Sequence, residues 1–389
     1  MSHLRKTVLG RSVKRVGLAP NQEDFAPLKW SQYFDIEDKV TTDHGTFHYY
    51  KKGDTGPAIV CLHGGGYSGL TWALFAVEIT STIECQVIAI DLRGHGNTKS
   101  NDDSDLSLDT LAEDVVEVLN KLFGDSEPPV ILVGHSMGGA IAVQCSHLIK
   151  SAVGLCVIDV VEGTALDALS SMQSILRGRP SHFKSIQHAI QWCYKGGQTH
   201  NVEAAKVSMP GQVINMQTGN LAANECDTVE LKSAAEFSMP LKKEIVSPPV
   251  TIVELEEEEE TNCSDCGKPP LPKTAKTEYP SPEDGPKYTW RIDLSKTESF
   301  WSGWFKGLSQ KFLDIRIPKL LLLANIHGLD TALTVGQMQG KFQLQVLSKS
   351  GHAIHEDQPH HVAEIIGGYL VKQKIASAKI DLIYPLPGC

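Results

Sequence analysis

Short hydrophobic runs alternate with stretches of helical periodicity through the first and last parts of the chain. Largely apolar runs predict strands at 57–66, 85–96, 128–134, 152–163 and 317–325, and the segment 341–352 predicts a further strand of the same sheet. An alternating pattern predicts a strand at 45–53. Helices are predicted at 72–81, 107–124, 139–149 and 361–373. Strands that alternate with helices in this order indicate an α/β fold, in which a mostly parallel central sheet is covered by helices on both faces.

The middle of the chain breaks this alternation. Two helical stretches, 165–180 and 183–197, follow one another without a strand between them. Residues from about 215 to 286 show little periodicity, contain the run ELEEEEE and lack the apolar surface to fold alone, so we predict a disordered acidic loop there. The predicted segments are a flexible basic tail at 1–29, the first part of an α/β core at 30–163, a largely helical lid insertion at 164–312 that contains the acidic loop, and the second part of the core at 313–389.

The composition narrows the class of protein. With 389 residues, of which 41% are hydrophobic, the chain can bury a large core. A formal net charge of −10 argues against a nucleic-acid-binding protein, and no apolar run approaches the roughly 18 residues that suggest a membrane span. Nine cysteines, mostly inside apolar stretches, are typical of reduced core residues in an intracellular protein. The basic N-terminus lacks the apolar core of a secretory signal, and we interpret it as a flexible tail. The alternatives are a mitochondrial presequence and a nuclear localisation signal.

Candidate chemistry begins at VGHSMGGA, residues 133–140. Gly134, Ser136 and Gly138 form the pattern glycine, any residue, serine, any residue, glycine, with a predicted strand before it and a predicted helix after it. Strand, tight turn and helix in this order form a nucleophile elbow, in which the serine is held in a strained conformation and a Cβ at either glycine would clash. We therefore predict that Ser136 is a nucleophile rather than a turn residue.

A serine alcohol is a poor nucleophile at neutral pH, so Ser136 requires a base, and that base requires an acid to orient it. In α/β-hydrolases these residues occur in the order serine, acid, histidine. His352 follows the last predicted core strand and is the predicted base, whereas we interpret His355 as structural. Two acids follow predicted strands. Asp159 directly ends the strand next to that of the nucleophile, and Asp330 lies farther from its strand, so we favour Asp159 and keep Asp330 as the alternative.

The motif HGGG at 63–66 supplies the other half of the predicted site. It ends a predicted strand, and glycines allow backbone N–H groups to approach a developing negative charge closely. We predict an oxyanion hole formed by the N–H of Met137 together with that of Gly64 or Gly65. Losing one such donor costs about 2.7–4 kcal/mol of transition-state stabilisation. HGGG, Ser136 and His352 follow one another in this order along the chain and are separated by predicted strands. Together they indicate a serine hydrolase.

Two further motifs carry no catalytic prediction. DLRGHG at 91–96 is typical of a structural loop, in which we expect Asp91 to pair with Arg93. CSDCG supplies one half of a zinc-binding pattern through Cys263 and Cys266, with no second pair nearby, so we predict no metal site.

Longer motifs go beyond the general fold. They are WSQYF, LHGGG, GHSMGGAIAV, IDVVEGTALDALSSMQSILRGRP, YTWRIDLSKTE, GWFKGLS, IPKLLLLA, GQMQGKFQLQV and GHAIHED. From about residue 30 to the terminal PGC, the chain closely resembles the protein phosphatase methylesterases. It departs from them in the basic N-terminus, in the acidic loop and in CSDCG, none of which includes a predicted catalytic residue.

The resemblance implies an α/β-hydrolase that removes the methyl ester from the C-terminal leucine of the protein phosphatase 2A catalytic subunit and that binds this phosphatase. It implies the triad Ser136, Asp159 and His352, no metal or organic cofactor, and a location in the cytoplasm and the nucleus. Met338, in GQMQGKF, is the candidate wall of a groove for the phosphatase tail. The alternatives are a general carboxylesterase or lipase with the same triad, which would hydrolyse small free esters rapidly, and a non-catalytic phosphatase-binding inhibitor, which would not need the triad.

Overall fold

The computed structural model describes residues 25–228, 285, 287–326 and 329–380. The main sheet consists of β1 (Ile36–Thr42), β2 (Gly45–Lys52), β3 (Ala58–Leu62), β4 (Gln86–Ile90), β5 (Lys99–Ser100), β6 (Val130–His135), β7 (Ala152–Ile158), β11 (Lys319–Leu323) and β12 (Gln343–Val346). The order across the sheet is β1-β2-β4-β3-β6-β7-β11-β12, with β5 paired to β2. All neighbouring strands from β4 to β12 are parallel, which confirms the predicted fold class.

Helices cover both faces of this sheet, as predicted. The α-helices are α1 (Ala73–Thr82), α2 (Leu108–Phe123), α3 (Met137–Cys145), α4 (Glu162–Arg177), α5 (Ile186–Lys195), α6 (Val202–Ser208), α7 (Ala222–Thr228), α8 (Glu298–Phe305), α9 (Leu308–Asp314), α10 (Thr331–Met338), α11 (Ile354–Asp357) and α12 (Pro359–Lys372). Successive side chains of β3 point to opposite faces: Val60 and Leu62 join a core with α2 and α3, whereas Ile59 and Cys61 join a core with α1 and α12. Burial on both faces explains the uninterrupted apolar run of this strand.

The segment that we predicted as a lid lies between β7 and β11. It contains α4 to α9 together with a small antiparallel sheet of β8 (His182–Phe183), β9 (Val213–Asn215) and β10 (Tyr288–Trp290), in the order β8-β10-β9. The sequence analysis missed this small sheet because its strands have only two or three residues, too few to show an alternating pattern.

The packed chain extends beyond two of the predicted boundaries. Phe25 is 1% exposed and packs with Phe183, although it lies within the predicted tail. Past the predicted start of the acidic loop, the chain forms α7, and Leu221 and Ala222 are buried. These apolar residues are too few to give a periodic signal, so their packing is not visible in the sequence. Residues 1–24 and 229–284, including the glutamate run, Cys263 and Cys266, lie outside the described residues.

Three further observations concern the described part of the chain. None of its helices has both the length and the apolarity needed to cross a membrane. The cysteines of the apolar runs, Cys61, Cys85, Cys145 and Cys156, are buried and form no disulfide. Within the same ranges, no group of three or more His, Cys, Asp or Glu side chains is arranged to hold a metal ion.

Candidate active site

The predicted catalytic residues lie at the carboxyl edge of the parallel strands. Ser136 directly follows β6, Asp159 directly follows β7, and His352 lies in the loop after β12. All three line one cleft of about 410 Å³. The remaining walls of this cleft, which are mainly apolar, are Val160, Val161, Thr164, Ala165, Ala168, Met172, Phe305, Leu323, Ala324 and Asn325. The fold thus brings together a serine, a carboxylate and an imidazole from distant parts of the chain.

Ser136 occupies a tight turn between β6 and α3. Its φ is 53° and its ψ is −119°, a conformation that residues other than glycine rarely adopt. A Cβ at Gly134 would lie 2.1 Å from the carbonyl oxygen of Gly138, and a Cβ at Gly138 would lie 2.1 Å from that of Leu62. Both positions therefore require glycine, and the turn has the geometry of a nucleophile elbow.

Asp159 and His352 form a hydrogen-bonded pair beside Ser136. Nδ1 of His352 donates to Oδ2 of Asp159 over 2.8 Å, and Oδ1 of Asp159 accepts from the N–H of Ala324 over 2.9 Å. This arrangement leaves Nε2 of His352 for proton transfer. The described side chains of Ser136 and His352 share the cleft without a hydrogen bond between them, and such catalytic hydrogen bonds often tighten only when substrate binds.

Two buried groups hold the backbone of the loop that carries His352. Nε2 of His135 donates to the carbonyl oxygen of His352 over 2.9 Å. Oδ2 of Asp357 accepts from the N–H of Gly351 over 2.6 Å, and its Oδ1 accepts from the N–H of His200 over 2.6 Å. Burial opposes ionisation of Asp357, but hydrogen bonds from His200 and Gly351 outweigh it and lower the pKa of this carboxyl. An ionised Asp357 therefore ties the loop to the inserted segment.

The HGGG loop is braced by two buried histidines. Nδ1 of His63 donates to the carbonyl oxygen of Gly64 over 2.8 Å, and Nε2 of His95 accepts from the N–H of Gly66 over 2.9 Å. Burial lowers the pKa of His63 to about 4 and that of His95 to about 3. Both rings are therefore neutral near pH 7, and each has one donor and one acceptor nitrogen. The second nitrogen of His63 accepts from the N–H of Leu92, and that of His95 donates to the carbonyl oxygen of Arg93.

The predicted oxyanion donors lie next to the nucleophile turn. A Cβ at Gly64 would lie 3.3 Å from the Cβ of Ser136, and a Cβ at Gly65 would lie 3.9 Å from Sδ of Met137. Gly66 donates its N–H to His95, whereas the N–H groups of Gly64, Gly65 and Met137 have no acceptor among the described residues. They include the two donors that the oxyanion prediction requires, namely the N–H of Met137 and that of Gly64 or Gly65.

The alternative acid and base have other partners. Oδ1 of Asp330 accepts from the N–H of Leu333 over 2.8 Å and thus caps α10. His355 is fully buried and stacks on Trp72, with ring centroids 4.2 Å apart. Burial also lowers the pKa of His355 to about 3. Neither Asp330 nor His355 lines the cleft that contains Ser136.

The structure does not bring Met338 to this cleft. Met338 is 84% exposed at the end of α10. The preceding residue, Gln337, lines a groove together with Lys319 and Gln343, the first residues of β11 and β12. The end of α10 therefore lies at the amino edge of the sheet, opposite Ser136. The order β11, α10, β12 is the signal that was available, because a helix between two parallel strands returns the chain to the amino edge of the sheet.

The predicted pairing of Asp91 with Arg93 was wrong. Asp91 accepts from Nδ1 of His48 over 2.9 Å and from the N–H of Gly69 over 2.6 Å. Arg93 instead forms an ion pair with Asp114 over 2.7 Å. Asp114 comes from α2, and the amphipathic pattern of that helix does not show which loop faces it.

The sequence analysis missed the supporting roles of His95, His135 and Asp357. Each lies within a motif that was noted for another reason, namely RGHG, GHSMGG or GHAIHED. The sequence signal for such a supporting role was a histidine or aspartate inside a glycine-rich motif at the end of a strand. Spacing along the chain could not identify the backbone group of another loop to which each of these side chains is hydrogen-bonded.

Comparison with known proteins identifies the fold. Residues 59–211 match the model of the alpha/beta hydrolase family. Among solved structures, E-2-(acetamidomethylene)succinate hydrolase is similar with a TM-score of 0.58 at 16% identity, covering 86% of this chain and 99% of that chain. An esterase from M. tuberculosis has a TM-score of 0.54 at 19% identity, covering 86% and 92%. At these identities the likeness concerns the fold alone.

Curated relatives are more similar in sequence. Protein phosphatase methylesterase 1 from Mus musculus is 46% identical over 386 residues, which cover 97% of this chain and 94% of the relative. The corresponding protein from Homo sapiens is 46% identical over the same shares. A probable protein phosphatase methylesterase 1 from Caenorhabditis elegans is 40% identical over 94% of this chain and 83% of the relative. These relatives confirm the resemblance of the motifs, and the chain belongs to the protein phosphatase methylesterase family.

Proposed function

We propose that this protein hydrolyses the methyl ester of the C-terminal leucine of the protein phosphatase 2A catalytic subunit and that it binds that phosphatase. Its family and fold are those of carboxylic-ester hydrolases. The observation that carries the proposal is the hydrogen bond of 2.8 Å between Asp159 and His352, in one cleft with Ser136 at its elbow.

The proposed reaction begins with acylation of Ser136. Nε2 of His352 takes the proton of the serine Oγ as this oxygen attacks the ester carbonyl carbon, and Asp159 stabilises the resulting imidazolium. The N–H groups of Met137, Gly64 and Gly65 stabilise the negative charge on the former carbonyl oxygen. When the intermediate collapses, the bond to the methoxy oxygen breaks and this oxygen receives the proton of His352. Methanol leaves, and the leucine is esterified to Ser136.

Water completes the reaction by the same steps. His352 takes a proton from a water molecule, whose oxygen attacks the acyl-enzyme carbonyl carbon. The bond to Oγ of Ser136 then breaks, and His352 returns the proton to this oxygen. The products are methanol and a C-terminal carboxylic acid, which loses its proton to water at neutral pH, and the residues of the cleft return to their starting protonation states.

The walls of the cleft suit a leucine side chain. Ala165, Ala168 and Met172 come from α4, Phe305 comes from α8, and Leu323 ends β11. Burial of a leucine side chain against such apolar surface contributes about 1.5–3 kcal/mol. An apolar C-terminal residue therefore fits this cleft better than a charged one.

Release of methanol from the carboxyl-methylated phosphatase 2A catalytic subunit tests the proposal. We expect wild-type protein to release methanol and Ser136→Ala to lose about 10⁶-fold in kcat, because the nucleophile is absent. Ser136→Ala should still bind the phosphatase. Ser146→Ala is the matched control, since Ser146 follows α3 and hydrogen-bonds the carbonyl oxygen of Val143. This variant should keep wild-type kcat.

The same experiment separates the alternatives. Methanol release by Ser136→Ala at the wild-type rate would refute the assignment of the nucleophile. Rapid hydrolysis of p-nitrophenyl acetate by wild-type protein, without release of methanol from the phosphatase, would indicate a general carboxylesterase. If wild-type protein and Ser136→Ala both bind the phosphatase and neither releases methanol, the result would indicate a non-catalytic phosphatase-binding inhibitor.

A further inference from the structure

A second cavity adjoins the Ser136 cleft along α4. It has a volume of about 620 Å³, and its lining includes Gln173, Leu176, Arg179, Trp290, Ile292 and Leu294. Ala165, Ala168 and Met172 line the Ser136 cleft, and Gln173 and Leu176 continue the same helix into the second cavity. The two cavities therefore follow one another along a single helix.

The HGGG loop also connects the two cavities. A Cβ at Gly66 would lie 2.9 Å from Cδ1 of Leu294 and 3.8 Å from Nη1 of Arg179. A Cβ at Gly65 would lie 3.6 Å from Cδ2 of Leu294. One side of this loop thus faces the nucleophile, and its far end touches two residues of the second cavity.

Arg179 is a half-buried cation with no anionic partner among the described residues. Its guanidinium lies 5.1 Å from the ring centroid of Trp290, and it forms no hydrogen bond or ion pair with any described residue. Burial lowers the pKa of Arg179, as expected for a cation removed from water without a carboxylate beside it. By contrast, Arg93 is paired with Asp114, and Arg291 is paired with Asp103.

The carboxylate that lines the same cavity, Asp293, is engaged elsewhere. Its Oδ1 accepts from the hydroxyl of Ser295 over 2.6 Å, and its Oδ2 lies 3.8 Å from Nζ of Lys296. Arg177 is exposed and donates to Oε1 of Gln173 over 3.2 Å. A guanidinium that is partly removed from water and stacked on an aromatic ring is well suited to a planar carboxylate or a phosphate.

We propose that Arg179 binds an anionic side chain of the substrate polypeptide, upstream of the esterified C-terminal residue. This inference rests on the proposed function, because it assumes that a polypeptide enters the Ser136 cleft by its C-terminus. Gly64 lies beside Ser136, and Gly66, two residues on, lies beside Arg179, so the guanidinium is within roughly 14 Å of Ser136. An extended chain advances about 3.3–3.6 Å per residue, which places the anion within about four residues of the ester.

Binding of synthetic peptides to Ser136→Ala tests this inference without hydrolysis. The probes are fluorescent hexapeptides that end in leucine methyl ester and carry Asp, Asn or phosphoserine at one of the four positions before the leucine. We expect an anionic residue at one of these positions to lower the Kd about tenfold relative to Asn, the effect of one hydrogen bond to a charged group. When Arg179→Gln is combined with Ser136→Ala, the Kd of the anionic peptide should rise to that of the Asn peptide.

Arg177→Gln is the matched control, because it removes a neighbouring arginine that lines the same cavity. We expect it to keep the preference for the anionic peptide. Equal Kd values for Asp, phosphoserine and Asn peptides, a preference that survives Arg179→Gln, or no binding of any peptide would each overturn the inference. A preference for Asp alone or phosphoserine alone would identify the anion as a carboxylate or a phosphate. Methanol release from the methylated phosphatase reports on the proposed function separately.

Discussion

Ser136 and Asp159 hold positive φ values of 53° and 50°. Such a conformation destabilises a non-glycine residue by about 1–3 kcal/mol and persists where the surroundings enforce it. The N–H of Ser136 donates to the carbonyl oxygen of Ile158 over 3.0 Å, and the N–H of Asp159 donates to that of Leu322 over 2.8 Å. Ser136, at the end of β6, is thus hydrogen-bonded to β7, and Asp159, at the end of β7, is hydrogen-bonded to β11. The sheet therefore fixes the relative position of the proposed nucleophile and acid.

Asp159→Asn tests the proposed acid at the scale of one residue. The new amide can still accept from the N–H of Ala324, but it no longer favours the His352 tautomer with a protonated Nδ1. We therefore expect kcat for hydrolysis of the methyl ester to fall about 10⁴-fold. Initial rates of methanol release at saturating substrate measure this change.

Asp330→Asn is the matched control for the acid. Asp330 caps α10, and asparagine is an equally good cap, so this variant should keep both its stability and its kcat. A large loss of kcat in Asp330→Asn, with Asp159→Asn near wild type, would assign the acid to Asp330.

At the scale of elements, the close approach of α3 to β3 positions the nucleophile turn. A Cβ at Gly138 would lie 2.1 Å from the carbonyl oxygen of Leu62, and neither backbone can move away without moving Ser136. We expect Gly138→Ala to lower the free energy of unfolding by about 3 kcal/mol or more. We also expect kcat to fall about 10²-fold, because the turn is displaced. Urea denaturation and methanol release measure the two effects.

Gly303→Ala provides the control for a glycine in a helix. Gly303 lies within α8, and apart from its own helix no atom of the described residues lies within 4 Å of the position of its Cβ. Alanine is the better helix former there, so this variant should gain about 0.5–1 kcal/mol of stability. If Gly138→Ala were tolerated equally well, the close contact between α3 and β3 would be refuted.

The elements that could be predicted from the sequence are those with a local pattern. The strands β3, β4, β7, β11 and β12 each lie within a predicted strand segment, and β6 extends one residue beyond its predicted segment, to His135. The helix predicted at 107–124 is α2 (Leu108–Phe123). The elbow was also predictable, because its strand, glycines, serine and helix are contiguous in the chain.

The features that could not be predicted depend on contacts between distant segments. The sheet of β8, β9 and β10 joins residues on both sides of the acidic stretch. The ion pair of Arg93 with Asp114, and the hydrogen bond of Asp357 with the N–H of His200, are chosen by the packing of loops and helices. Several aspartates lie near Arg93 in sequence, and periodicity does not select among them.

At the scale of the whole molecule, four buried histidines near the carboxyl edge link stability to pH. They are His63, His95, His135 and His355, each at most 1% exposed. Burial lowers the pKa of all four below the ordinary value of 6.5. The unfolded chain therefore binds protons at a pH at which the folded protein does not. The stability that these residues contribute is present in full above pH 6.5 and is lost as the pH falls toward their lowered pKa values.

His355→Gln tests this linkage. Burial lowers the pKa of His355 to about 3, so each pH unit below 6.5 removes about 1.4 kcal/mol of its contribution to stability. From pH 7 to pH 5, we therefore expect the free energy of unfolding to fall by about 2 kcal/mol less in His355→Gln than in wild type.

His360→Gln is the control, because His360 is 60% exposed and hydrogen bonds to Glu78 raise its pKa. The contribution of His360 to the free energy of unfolding is present below pH 6.5 and is lost as the pH rises. Replacing His360 should therefore not make the decrease in the free energy of unfolding from pH 7 to pH 5 smaller. Urea denaturation at the two pH values measures both, and an unchanged fall in His355→Gln would show that His355 does not contribute to the pH dependence.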